Sequence, residues 1–181
     1  MKRCGILLAT ALAAAGVLRP VQGAAPAKLI WNASASVPIG LYLIHGGEPF
    51  LAGDLVAVDP PGPLAMFLAE RGYLPIGVPL IKPVLAVAGQ TVCRDKLKIL
   101  VDGGDVGAAL ERDRAGRDLP VWEGCRHIPV GAVFLMNGQA RDSLDGRYFG
   151  PVFTDRIIGR AVPLWTDEQG DGRFQWRART R

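Results

Sequence analysis

The chain has 181 residues, 49% apolar and 21% charged, which suits one folded domain and excludes a disordered chain. Its 23 Gly and 14 Pro are too many for a helical bundle, because both residues break helix interiors, so a mostly β fold with many turns is expected. A formal net charge of +4 falls short of a nucleic-acid-binding signature, and two histidines are too few for a histidine-rich metal site.

Lys2 and Arg3 precede an uncharged run, Cys4–Leu18, which Arg19 and Pro20 close. This is the order of an export signal: a positive start, then an apolar stretch. The run is shorter than the roughly 20 apolar residues of a spanning helix. Small residues at Gly23-Ala24-Ala25 offer a cleavage site. Residues 1–23 are therefore either a cleaved signal peptide or a retained membrane anchor, and 24–30 read as a tether. Both alternatives put the remainder outside the cytoplasm, because the positive charge stays inside. Cys4 belongs to that segment. The other two cysteines, Cys93 and Cys125, then meet an oxidising compartment, where a disulfide is expected and two buried thiols are the alternative.

Residues 31–166 carry the fold. Short apolar runs at Leu41–Ile44, Leu55–Val58, Val78–Val87, Leu97–Val101, Val133–Met136 and Ile157–Val162 predict strands. Gly46-Gly47, Pro60-Pro61, Gly103-Gly104 and Asn137-Gly138 punctuate them as turns. Pro63–Arg71, with proline at its start and Gly72 after its end, predicts a helix of two to three turns. Gly103–Leu119 is charged and glycine-rich and reads as a long loop. Residues 167–181, with Arg173, Arg177, Arg179 and Arg181, read as a basic tail, either solvating the chain end or lying against anionic headgroups.

Three segments hold residues suited to chemistry. In Asn32–Tyr42, Ser34 and Ser36 stand two apart ahead of Pro38 and Gly40. A serine nucleophile needs such a fixed backbone and a nearby base, although the segment alone is also an ordinary turn. In Leu80–Val87, Lys82 sits among aliphatic neighbours. It is either an outward-facing strand residue or a buried amine whose pKa falls from about 10.4 toward neutrality, where it can act as a base. Asn137–Gly150 is a dense polar run ending in Tyr148-Phe149, which alone reads as a loop with local ion pairing. His45 and His127 stand near turns with no comparable serine motif and read as surface residues.

Four segments in this order resemble the signal peptidase family of serine/lysine peptidases, and within it the TraF-type branch of conjugative transfer. They are Ser36–Tyr42, Gly53–Val56, Ile81-Lys82-Pro83-Val84 with Gly89 after it, and Ser143–Gly150. Arg71-Gly72-Tyr73-Leu74 and the two cysteines also suit that branch, and the likeness runs from about Asn32 to Val162. Three positions depart from the family pattern: Gln90 stands for an Asp, Gly146 for a Ser, and the Asn137 loop lacks Gly-Asp-Asn.

The resemblance implies coiled antiparallel sheets with one or two short helices. It implies Ser36 as nucleophile and Lys82 as general base, with the Ser36 N–H and the Ser34 hydroxyl as oxyanion donors. Ser143 would orient the lysine, and Asp145 and Arg147 would form a supporting ion pair. No cofactor or metal is called for. The implied substrate is an exported precursor or pilin, bound as an extended strand and cut after small residues, with hydrolysis and ring closure both open. The implied setting is the periplasm or the periplasmic face of the inner membrane, alongside other conjugation-apparatus proteins and without nucleic acid. A general leader peptidase and a non-catalytic exported subunit of a secretion or pilus apparatus are the competing readings. A self-cleaving repressor is opposed by the export signal.

Overall fold

A computed structural model describes residues 28–178. The export signal or anchor, the start of the tether and the last three residues lie outside the described residues. Among the described residues no helix is long and apolar enough to cross a membrane.

The chain is mostly β, built from antiparallel sheets with short helices. The larger sheet has eight strands. Its members are β1 (Lys28–Asn32), β2 (Ile39–His45), β3 (Leu55–Val58), β4 (Leu80–Val87), β9 (Ala132–Leu135), β10 (Val152–Phe153), β11 (Ile157–Asp167) and β12 (Gln175–Trp176). They run in the order β1-β2-β11-β3-β4-β9-β10, with β12 paired to β11. The smaller sheet has four: β5 (Thr91–Asp95), β6 (Lys98–Val101), β7 (Gly104–Ala108) and β8 (Gly124–His127), in the order β7-β6-β5-β8. The strands with strong apolar runs are central, where neighbours cover both faces. Thus Ile81 packs with Tyr42, Ile44 and Ala57, while Val84 packs with Val56, Val133 and Leu135. A further cluster, including Val92, Ile99, Trp122 and Phe134, fastens the small sheet to β9.

Helix α1 (Gly62–Glu70) lies one residue from its expected bounds. Pro63 supplies the fixed φ of its first turn, and Gly72, at φ +70°, turns the chain out so that Tyr73 N donates to Leu68 O at 2.8 Å. Gln90, the departure noted above, has a local use. Its side chain accepts from Val87 N at 3.0 Å and donates to Asp102 at 2.8 Å, closing the β4–β5 turn.

Three expectations need correction. Gly104–Ala108, read as part of a long loop, is strand β7, joined to β6 by Asp102-Gly103 with φ of +49° and +82°. Two positive φ values make the turn that matches strand twist, and Asp-Gly is its sequence signature. Lys28–Ile30, assigned to the tether, belong to edge strand β1 and pair with β2. The basic tail is not a free end within the described residues: Gln175-Trp176 fold back onto Thr166 and Trp165. His45 ends β2, His127 ends β8, and both are exposed.

Candidate active site

The two serines lie in the turn between β1 and β2. Asn32, at the end of β1, staples this turn from within. Its Oδ1 accepts from Ser34 N at 3.1 Å, and its Nδ2 donates to the carbonyls of Ser34, Val37 and Pro38 at 2.8, 3.2 and 3.1 Å. The Tyr42 hydroxyl adds a 2.6 Å bond to Pro38 O, so the segment ahead of β2 is held at several points. The hydroxyls of Ser34 and Ser36 lie 2.7 Å apart, and Ser36 N donates to Ser34 Oγ at 3.4 Å.

Lys82 stands on β4, opposite Val56 on β3. Its side chain faces inward with those of Val84 and Ala86 and is 3% exposed. The outward alternative is therefore excluded. Burial holds the amine below the ordinary lysine range, down to about 8; Asp145 and Asp142 pull it up and Arg147 pulls it further down. Its Nζ donates to Ser143 Oγ at 2.8 Å. A neutral amine that gives one N–H to a hydroxyl keeps its lone pair free to take a proton.

Ser143 belongs to the polar run, which folds inward. Short helix α2 (Gly146–Phe149) starts at Asp145, whose side chain accepts from Arg147 N. The Asp145 carboxylate and the Arg147 guanidinium meet in a forked pair at 2.8 and 2.9 Å, both buried. Arg147 also donates to the carbonyls of Ala140, Arg141 and Ser143, and Asp145 accepts from Asn137 N at 3.1 Å. A buried ion pair survives only when its remaining hydrogen-bonding groups are used, and here they hold the 137–143 loop beneath Lys82.

Two groups thus form: Ser34 with Ser36, and Lys82 with Ser143, Asp145 and Arg147. Asn137 joins them, donating through Nδ2 to Ser36 O at 2.6 Å while its main chain is held by Asp145 and Arg147. Among the described residues the Ser36 hydroxyl bonds to Ser34 and the Lys82 amine to Ser143, and no hydrogen bond links Ser36 to Lys82. Sequence reasoning assigned no role to Asn32 or Asn137. An Asn two residues ahead of a serine is the signature of a side-chain-closed turn and could have flagged Asn32; nothing local could have flagged Asn137.

A cleft of about 990 Å³ opens beside this arrangement. Val37 and Pro83, the chain neighbours of Ser36 and Lys82, line it, together with Leu55 and Val84, Asn137, and Glu168 of the C-terminal return. The small sheet stands behind α2, and its β5 and β8 are joined by the Cys93–Cys125 disulfide.

Known proteins resemble this chain in sequence. The probable conjugal transfer protein TraF of Sinorhizobium fredii is 39% identical over 75% of this chain and 76% of its own length. The conjugal transfer protein TraF of Agrobacterium fabrum is 37% identical over 75% of this chain and 81% of its own. A signal peptidase I structure from Enterococcus faecalis aligns with 64% of this chain and 97% of that one, at 17% identity and a TM-score of 0.37. The family described as signal peptidase, peptidase S26, matches residues 1–165, and the chain belongs to that family.

Proposed function

We propose that this chain is an exported serine endopeptidase of conjugative transfer, with Ser36 as nucleophile and Lys82 as general base. The observation that carries the reading is Lys82: a strand amine buried to 3% exposure, its proton affinity lowered by that burial, fixed by Ser143 and set beside a cleft that also meets the serine turn.

The chemistry follows from these groups. In this reading the Ser36 side chain turns away from Ser34 to give its hydroxyl to the lysine, since catalytic hydrogen bonds commonly tighten only around substrate. Lys82 takes the proton as Oγ bonds to the scissile carbonyl carbon. The Ser36 N–H and the Ser34 hydroxyl donate to the resulting oxyanion. Lys82 then returns the proton to the leaving amine as the C–N bond breaks, leaving an acyl group on Ser36. Water releases an acid; an incoming amine releases an amide and, from the same chain, a ring. Asp145 and Arg147 neutralise each other and hold the floor. They are supporting residues and relay no proton.

The substrate in this reading is an exported or pilin precursor, lying as an extended strand in the cleft. A membrane setting is supported by exposed Trp31 and Trp165, which meet Phe174, and by exposed Trp176, paired opposite Trp165, with Arg173 and Arg177 next to them in the chain. Aromatic rings with flanking cations suit the interface of an anionic membrane. The test is co-expression with a candidate pilin precursor and mass measurement of the product. Wild-type protein should cut it, and a product lighter by one water than the cut peptide is a ring. Ser36→Ala and Lys82→Ala should each abolish processing, and Ser34→Ala should slow it by about 10- to 10³-fold. Substantial processing by Lys82→Ala at neutral pH refutes the dyad.

A further inference from the structure

Arg94, next to Cys93 on β5, is 1% exposed and makes no ion pair among the described residues. A buried cation without an anion is expensive and needs strong acceptors in its place. All its hydrogen bonds run to main-chain carbonyls: Nε to Lys96 O at 2.9 Å, and Nη1 to Pro120 O at 3.2 Å and to Arg147 O at 2.6 Å. The first two acceptors belong to its own sheet and the approach to β8. The third is in α2, beneath the lysine. Trp122 repeats the pattern: it packs in the core between the small sheet and β9, and its Nε1 donates to Gly146 O at 3.1 Å. The first two carbonyls of α2 are therefore gripped by one side chain of the small sheet and one from the segment leading into β8. The disulfide ties Cys93, beside Arg94, to Cys125, which follows the Pro120–Trp122 segment.

We propose that Arg94 and Trp122 are positioning residues for the lysine centre. By holding the Gly146 and Arg147 main chain, they set the Asp145–Arg147 pair and, through it, the place of Ser143 against Lys82. The chain of contacts is short. Arg147 O is held by Arg94; the Arg147 side chain holds Asp145 and Ser143 O; Ser143 Oγ holds Lys82 Nζ. Neither residue lines the cleft, so neither acts by touching substrate.

The inference rests on the lysine-base reading, so its test has one readout that needs no activity. The variants are Arg94→Met, which removes the buried charge at similar length; Arg94→Lys, which keeps the charge but loses the planar fork; and Trp122→Phe, which keeps a ring and loses the N–H. The first readout is the titration of the Lys82 amine by NMR of carbon-labelled lysine, assigned with Lys82→Ala. The second is the pH profile of kcat/KM on a cleaved peptide. The charged groups acting on Lys82 are Asp145, Asp142 and Arg147; those facing Arg94 are the titratable Tyr148 hydroxyl, kept neutral by burial, and the Glu123 carboxylate. Looser packing around α2 admits water to the Lys82 amine and eases its burial, which favours the ammonium form. Arg94→Met should therefore move the Lys82 midpoint upward by at least about 0.5 pH unit, with Trp122→Phe and Arg94→Lys moving it less. The rate at neutral pH should fall about tenfold or more, with its midpoint following the amine. A Lys82 midpoint unchanged in Trp122→Phe and in whichever Arg94 variants fold, with a rate profile merely scaled, would overturn the proposal, since that is the mark of a purely structural role. A shifted midpoint in a protein that cuts no peptide would uphold the positioning while removing the peptidase reading.

Discussion

Replacing Lys82 by Met should stabilise the fold at neutral pH. Burial brings this amine from 10.5 down to about 8 in the folded chain. The unfolded chain returns it to about 10.4. Below pH 8 both states hold the proton, and the folded state bears the full cost of an enclosed ammonium. That gap of about 2.5 pH units corresponds to about 3 kcal/mol. Between about pH 8 and 10.4 the unfolded chain binds a proton that the folded chain does not, so stability rises with pH across that window. Met lacks the penalty and loses one hydrogen bond to Ser143, worth about 1 kcal/mol. Lys82→Met should thus be about 2 kcal/mol more stable at pH 7, and the advantage should vanish toward pH 10. The assay is urea unfolding of both proteins at several pH values between about 6.5 and 9.5, read as the difference in free energy. Tyr42 and Tyr148, both raised by burial, titrate in either protein and cancel. A difference that stays constant over this range refutes the claim that Lys82 is buried at a cost.

Three further outcomes are expected. Cys93→Ser opens a loop of 32 positions, and in the simple chain-entropy treatment it should cost roughly 3.5–4 kcal/mol, with cleavage at low temperature falling much less than the melting temperature; two free thiols from Cys93 and Cys125 in the denatured, unreduced protein would remove the bridge. Gly146→Ser puts a Cβ 2.6 Å from the Phe134 ring and 2.7 Å from Leu135 O, which should cost about 1–3 kcal/mol and slow cleavage because α2 must move; an unchanged melting temperature would contradict this packing. Asn137→Ala removes the 2.6 Å bond to Ser36 O and should lower kcat about tenfold with a stability loss of ~1 kcal/mol, and a kcat equal to wild type would show that the serine turn holds without it.

The elements legible in the sequence are those whose residues decide them locally. Leu55–Val58 is a strand over the predicted residues, because β-branched and apolar residues in a short run between turns suit nothing else. Pro63 and Gly72 bound α1 because one fixes φ and the other tolerates the left-handed turn. Strands with little apolar content escaped notice. All four residues of β8 are exposed, and its place comes from pairing with β5 and from the disulfide. Edge strand β7 announced itself only through Asp102-Gly103.

At the site the division is sharper. The residue types were readable in the chain: two serines in a stiff turn, a lysine among aliphatic residues, and a serine followed by an Asp and an Arg. Whether Lys82 faces water or the core depends on what covers that face of β4, and the Ser143–Arg147 segment, 61 positions further along at Ser143, folds in against it. The grip of Asn137 on Ser36 spans 101 positions, and that of Arg94 on Arg147 spans 53. No local pattern encodes such contacts. They exist because folding the two sheets together brings carbonyls and donors from distant segments into one dry region, where each must find a partner.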